Sequence, residues 1–338
     1  MTGSLRAWIK PLAVGGLALT TLFSAAAPAT AKKILRVTIQ LPIRSVLGAN
    51  LLQFKTDVEK SSAGELEIQI FDSAQLHDDK DVPKAVGTGQ IDMGVASLAR
   101  YVGDVPAADV FYVPFAFPTQ DILAKAVAPG SVVRQPLDDA ILKTGSRVLW
   151  WQAYGGTVLL SKGASIKSPA DIKGKKVRVF SKLLGIWVTA NGGSPVNVAG
   201  GEQYFAYQRG TVDIGMTGPD TLRSRRIWEV MDNVTTVNTA AIEFLVVVNE
   251  KVFQSLTEGE RTIITTAAKK AESTLRSEFA QIEKDAIEAG RQNKMTVYTP
   301  TAAEMDDWRK SAVPVRDEFL KGSGPLGKQV YEAALGLK

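Results

Sequence analysis

A six-residue pattern occurs twice in this chain. Gly89-Gln90-Ile91-Asp92-Met93-Gly94 and Gly210-Thr211-Val212-Asp213-Ile214-Gly215 both read Gly-x-[Ile/Val]-Asp-[Ile/Met]-Gly. Each copy follows a helix-like segment and precedes a small polar residue, Ser97 in the first and Thr217 in the second. The copies lie too far apart for a solenoid repeat, but the separation suits two similar α/β lobes. The second copy sits in a stretch, 167–230, whose elements alternate. Ser168-Pro169 opens a short helix that Gly174 closes. Residues 176–180 alternate around Val177 and Val179 as a strand. An apolar helix over 183–190 stops at Gly192-Gly193. A short strand follows at 195–198, a helix at 202–208 capped by Gly210, a buried strand at 212–216 and a basic amphipathic helix at 221–230. That order, β-α-β-α-β-α, implies a parallel sheet with helical crossovers. The first copy has the same setting, with strands at 34–41 and 66–71 and helices at 47–60 and 81–86. Open α/β sheets bind ligands beyond the carboxyl ends of their strands, so two such lobes face to face make a cleft.

The remaining segments fit around this frame. Residues 119–128 and 132–144 read as helices, and 147–152 and 157–161 as strands. Tyr154-Gly155-Gly156 stands between those strands and is the expected crossing from one lobe to the other. Strands at 234–238 and 243–249 lead back. Thr257 with Glu260 has the spacing of a capping box and opens a long helix running toward Arg291. A strand at 295–298, a helix over 301–320 and a terminal helix at 330–335 complete the chain. Residues 1–31 read as a secretion signal: Arg6 and Lys10 form the basic region, 12–23 the apolar region, and Ala29-Thr30-Ala31 the cleavage site. The signal carries no lipobox Cys, and no later stretch is long and apolar enough to span a membrane. The expected location is the periplasm. Removing the signal lowers the net charge of +5 by two, and such a mild excess does not argue for nucleic acid.

The central stretch resembles the periplasmic substrate-binding subunits of tripartite ATP-independent periplasmic (TRAP) transporters. The resemblance rests on Asp171-Ile172-Lys173-Gly174-Lys175-Lys176-Val177-Arg178-Val179, on Gly192-Gly193-Ser194-Pro195, and on Glu202-Gln203-Tyr204-Phe205-Ala206-Tyr207-Gln208 leading to Val212-Asp213. Gln75-Leu76, the first Gly-x-Ile-Asp copy and Val113-Pro114-Phe115-Ala116-Phe117 extend it over essentially the whole mature chain. It implies an α/β, two-lobed periplasmic binding protein (type II-like), each lobe a mixed sheet flanked by helices, with a long C-terminal helix spanning both lobes. The expected division is 32–154 plus about 243–290 for lobe I, and 155–242 plus about 291–338 for lobe II. The resemblance further implies a monomer that captures an organic acid, needs no cofactor, and delivers its ligand to a small and a large integral-membrane subunit.

In that family the Arg of the Lys-x-Arg-Val element grips the substrate carboxylate, and Arg178 stands there. Its residue type agrees, because a guanidinium holds a carboxylate through two parallel bonds. An Asn that contacts ligand in the family is replaced here by Thr217. Val158 follows Gly156-Thr157 where sialic-acid binders carry a second Arg, so sialic acid is not the expected ligand. Gln40 at the end of the first strand, Arg44 in the loop beyond it and Ser97 after the first repeat are further candidate contacts. Trp151 and Tyr154 are candidates for an aromatic wall, although Trp150 and Trp151 point to opposite faces of one strand. Glu243 either reads a ligand donor or forms a salt bridge at the hinge. Asp92 and Asp213 are expected to bind nearby backbone, and Arg223, Arg225 and Arg226 to form a solvated basic face or a docking patch.

Other function classes have less support. One His, no Cys and no clustered ligand spacing exclude thiol catalysis and the common zinc sites. The chain has neither a Gly-x-Ser-x-Gly elbow nor a Walker loop. A periplasmic sensor, or the binding protein of an ATP-driven transporter, uses the same kind of two-lobed fold and stays open as an alternative.

Overall fold

The computed structural model describes residues 1–3 and 32–337. The signal segment falls mainly on 4–31, outside the described residues. Among the described residues, eleven strands form two sheets. They are β1 (Lys33–Ile39), β2 (Leu66–Phe71), β3 (Met93–Ser97), β4 (Ser146–Gly156), β5 (Val158–Ser161), β6 (Lys176–Val179), β7 (Ser194–Asn197), β8 (Ile214–Thr217), β9 (Asn233–Thr235), β10 (Ala241–Asn249) and β11 (Thr296–Tyr298). The first sheet has the order β2-β1-β3-β10-β4 and the second β11-β9-β5-β8-β6-β7. Each mixes directions. In the first, β1 runs parallel to β2 and β3, while β10 is antiparallel to β3 and β4. All nine residues of β10 are buried, as expected of a central strand covered on both faces.

The repeated hexapeptide does the same work in both lobes. Its first glycine, Gly89 or Gly210, takes a positive φ of 80° or 67°, which L side chains adopt only at a cost. Its aspartate binds the backbone of the neighbouring strand: Asp92 Oδ2 accepts from Arg36 N at 2.9 Å, and Asp213 Oδ2 from Lys176 N at 2.7 Å. Its last glycine lets the preceding helix lie close to the strand. A Cβ on Gly94 would stand 2.5 Å from Val82, and one on Gly215 would stand 2.6 Å from the Tyr207 ring.

Two strand-to-strand connections join the lobes, and the long helix between β10 and β11 makes a third. The chain leaves the first sheet at the end of β4, enters the second at β5, and returns between β9 and β10. The two crossings are stitched together at Thr157. Its N–H donates to the Ala240 carbonyl, its carbonyl accepts from Asn238, and its Oγ1 lies 2.6 Å from Thr239 Oγ1. The helix Glu258–Gln292 supports both lobes. Its 35 residues reach about 52 Å at the usual helical rise. The capping box of Thr257 and Glu260 is formed. The helix packs on β4 and the helix Val46–Ser61 in one lobe, and on the helix Asp220–Ser224 and β11 in the other. At the crossing, Glu283 Oε1 accepts from Gly156 N.

Several local readings change. The helix expected over 301–320 is two helices, Ala302–Lys310 and Val313–Gly322, because Pro314 has no N–H to continue the ladder and favours a new first turn. The last helix, Gly324–Gly336, packs on the helical turn Pro106–Tyr112. The C-terminal segment is therefore not confined to the second lobe. The basic helix expected over 221–230 ends at Ser224, after which Arg226 takes a left-handed conformation with φ 54°.

The seam between lobes contains a buried carboxyl with a consequence for stability. Asp109 is 4 % exposed and its Oδ1 has no partner. Burial pushes its pKa up to about 7, against the pull of Ser181 and Lys182. A carboxyl whose folded pKa is raised contributes stability below its unfolded value of 3.8 and loses it as pH rises through about 7. The melting temperature of Asp109→Asn is therefore expected to gain on that of the unaltered protein between pH 5 and pH 8. Parallel melting curves across that range would show the assignment to be wrong.

Candidate functional site

The carboxyl ends of β1, β3, β6 and β8 meet at the interface of the lobes and enclose a cavity of about 30 Å3. Five of the eight expected contacts line it: Gln40, Ser97 and Tyr154 from one lobe, Arg178 and Thr217 from the other. Arg178 follows Val177 on β6 and is only 4 % exposed. Its Nε donates to the Val198 carbonyl at 3.0 Å and its Nη1 to that of Met216 at 2.6 Å. The guanidinium lies 5.0 Å from the Phe180 ring centre, a cation–π contact. Burial lowers its pKa, with Arg100 and Arg225 adding to the effect and Tyr207 opposing it. Two neutral carbonyls fix the group in position but supply no counter-charge. Among the described residues no carboxylate pairs with it.

Thr217 Oγ1 lies 3.0 Å from Thr221 Oγ1, which lies 2.9 Å from the Tyr154 hydroxyl. This line of three hydroxyls crosses from one lobe to the other. Burial pushes the Tyr154 phenol up to about 12, with Asp220 adding to the shift. Gln40 Oε1 and Ser97 Oγ are buried without hydrogen-bond partners. Buried polar atoms are normally satisfied, so these two are available to an occupant.

The other three expected contacts do not line the cavity. Trp151 is core: its Nε1 donates to Asp138 Oδ1 at 2.8 Å and Arg134 lies 5.4 Å from its ring centre. Strand alternation does put Trp150 and Trp151 on opposite faces, but both faces of β4 are covered. Trp150 meets Phe54 and Asn50, while Trp151 meets Phe111. Glu243 is taken up by Arg276 of the long helix, at 2.9 and 2.6 Å, which corresponds to its salt-bridge reading. Arg44 donates through Nε to the Ser224 carbonyl of the opposite lobe at 3.0 Å.

Cavity residues that the sequence reading missed are Asp79, Arg100, Phe180, Gln203, Phe244 and Arg225. Asp79 Oδ1 accepts from Ser97 N at 2.8 Å and its Oδ2 from Arg100 Nε at 2.5 Å. Arg225 is the clearest correction. A continuous helix to residue 230 would leave it on a solvated face. The helix instead stops, so Arg225 reaches the cavity while Arg223 and Arg226 remain exposed.

The fold and this cationic, inter-lobe cavity define the class as a two-lobed solute-binding protein. The chain matches the DctP model, bacterial extracellular solute-binding protein family 7, over residues 39–322, and it belongs to that family. It is 26% identical over 313 residues to the sialic acid-binding periplasmic protein SiaP of Vibrio cholerae, covering 91% of this chain and 94% of that one. Identity is also 26%, over 281 residues, to the C4-dicarboxylate-binding periplasmic protein DctP of Rhodobacter capsulatus, covering 82% and 83%. A crystal structure of a TRAP periplasmic solute-binding protein from Desulfovibrio salexigens, with bound orotic acid, superposes with a TM-score of 0.84 at 25% identity, covering 91% of this chain and all of that one. One from Sulfurospirillum deleyianum, with bound succinate, superposes at 0.85 and 24% over the same shares. The family consists of substrate-binding receptors.

Proposed function

We propose that this protein captures an organic acid in the periplasm and delivers it to the small and large membrane subunits of a TRAP transporter. The open lobes admit the acid. Arg178 pairs with its carboxylate as the cleft closes, Thr217, Ser97 and Gln40 bond to its remaining polar atoms, and Tyr154 walls it. The chain itself performs no bond chemistry on the ligand. The reading rests on one observation: Arg178 is buried at the lobe interface, held by two carbonyls, and has no carboxylate partner among the described residues. An unpaired cation in such a place is costly unless an anion joins it. The names of the relatives support an organic acid as that anion.

Thermal melting of the protein without residues 1–31, against succinate, galacturonate, orotate and pyroglutamate, tests this. A ligand at 100 times its Kd adds about 2.7 kcal/mol, which raises Tm by about 2–4 °C or more in a chain of this size. At least one acid is expected to do so. If none does, and none co-purifies with the protein, the capture reading fails.

A further inference from the structure

The cavity holds three guanidiniums but only one of them is paired. Arg100 is neutralised by Asp79. Arg178 is held by carbonyl oxygens alone. Among the described residues, the Arg225 side chain makes neither a hydrogen bond nor an ion pair, and its Nε is buried without a partner. Asp220, five residues earlier, and Glu229, four residues later, are the nearest carboxyls along the chain, and Glu229 is taken up by Arg226 and the Tyr204 hydroxyl. Asp220 does not settle the account: its one ion-pair contact is Arg223, at 4.0 Å. Burial raises the Asp220 pKa and so favours its neutral form. Arg178 is buried, and Arg225 is half-buried with its Nε shut off from solvent; cations desolvated without counter-charges are unfavourable, so these two guanidiniums favour an occupant with two negative charges.

The route by which Arg225 reaches the cavity matters as well. The short helix Asp220–Ser224 ends one residue before it, and Arg226 turns the chain away after it. Arg44, from the other lobe, holds the carbonyl of Ser224, the residue directly before Arg225. That bond crosses the cleft and exists only when the lobes are together.

We infer that Arg225 is a second anion anchor, which selects ligands with two acidic groups, and that Arg44 is the positioning residue that seats it on closure. The inference rests on the carboxylate-capture reading above. One acidic group of the ligand pairs with Arg178 and the other with Arg225. Closure then couples to the second acidic group, because the Arg44 bond and the seating of Arg225 form together.

Titration calorimetry separates the two readings. The probes are malonate, succinate and glutarate, each compared with the monoanion in which a methyl replaces one carboxylate: propionate, butyrate and valerate respectively. The unaltered protein is expected to bind one of the dianions at least about tenfold more tightly than its monoanion, as one charge-assisted contact supplies. Arg225→Gln should reduce that preference to about twofold or less, lowering the dianion affinity by a larger factor than the monoanion affinity. Arg44→Gln should reduce the preference in the same direction, and Arg44→Lys should restore part of it, which a merely structural role would not do. A preference that persists in Arg225→Gln overturns the inference. Equal binding of dianion and monoanion by the unaltered protein overturns it alone. If neither class binds, while another organic acid raises the melting temperature, the dianion inference falls and capture stands; if no acid binds at all, both fall.

Discussion

Arg178→Gln is expected to lower affinity for the captured acid by about two to four orders of magnitude, since it removes two charge-assisted hydrogen bonds of roughly 1.5–3 kcal/mol each. The geometry makes this a demanding position. The guanidinium uses Nε and Nη1 on the carbonyls of Val198 and Met216, so it can hold its place and still present donors to a ligand. Lysine keeps the charge but offers one compact ammonium without the planar fork. Arg178→Lys is therefore expected to lose most of the affinity as well, and that outcome separates geometry from charge. Both variants leave buried carbonyls short of donors, at about 1–3 kcal/mol for each one left unsatisfied, so melting of the ligand-free variants must accompany the calorimetry. Affinity within about threefold of the unaltered protein, in a variant that remains folded, would remove Arg178 from the anchor role.

The second large effect concerns stability, far from the cavity. Arg134→Ala is expected to cost about 3–5 kcal/mol, the usual penalty for stranding buried partners of an ion pair. Arg134 is 5 % exposed. Its two Nη atoms bind Glu272 of the long helix at 2.5 and 3.2 Å, its Nε binds Asp138 at 3.0 Å, and Nη1 also reaches the Val127 carbonyl. Trp151 would lose the cation beside its ring. Burial already raises both carboxyls in the intact protein, Asp138 to about 6, and outweighs the pull of Arg134. Without the arginine they rise further. Groups with raised folded pKa values contribute stability below their unfolded values and lose it as pH rises through the folded ones. The penalty should therefore be greater at pH 8 than at pH 5. Urea unfolding checks this: the midpoint should fall with little change in slope, and more so at pH 8. A midpoint shift that is small at both pH values would mean that solvent or relaxation satisfies these carboxyls. Arg134→Met combined with Glu272→Leu should recover part of the loss, because an apolar pair leaves no stranded charge.

Much of the fold was legible because it rests on local rules. The alternation of Leu35, Val37 and Ile39, the capping box of Thr257 and Glu260, and the paired hexapeptides each depend on residues close together in sequence. Asp92 and Asp213 were readable as structural because a repeated carboxylate in a repeated setting points to a repeated backbone need, and both bind the neighbouring strand. Arg178 was picked out by its motif, and Gln40, Ser97, Tyr154 and Thr217 by their places near strand ends. Where the local signal was ambiguous the reading slipped. The helix over 301–320 looked continuous by capping and composition, yet Pro314 splits it.

The amino-acid sequence by itself determined the two α/β lobes, the long helix and the candidate carboxylate anchor, because hydrophobic period, caps and motif act within a few residues. Only the tertiary structure decided what each polar side chain meets. Trp151 and Glu243 are drawn away from the cleft by Asp138 and Arg276, partners 13 and 33 residues distant. Arg44 is committed to a carbonyl 180 residues away. Arg225 enters the cavity because a helix ends one residue before it. Burial and charge compensation depend on which surfaces face each other once the lobes pack, and that pairing is long-range.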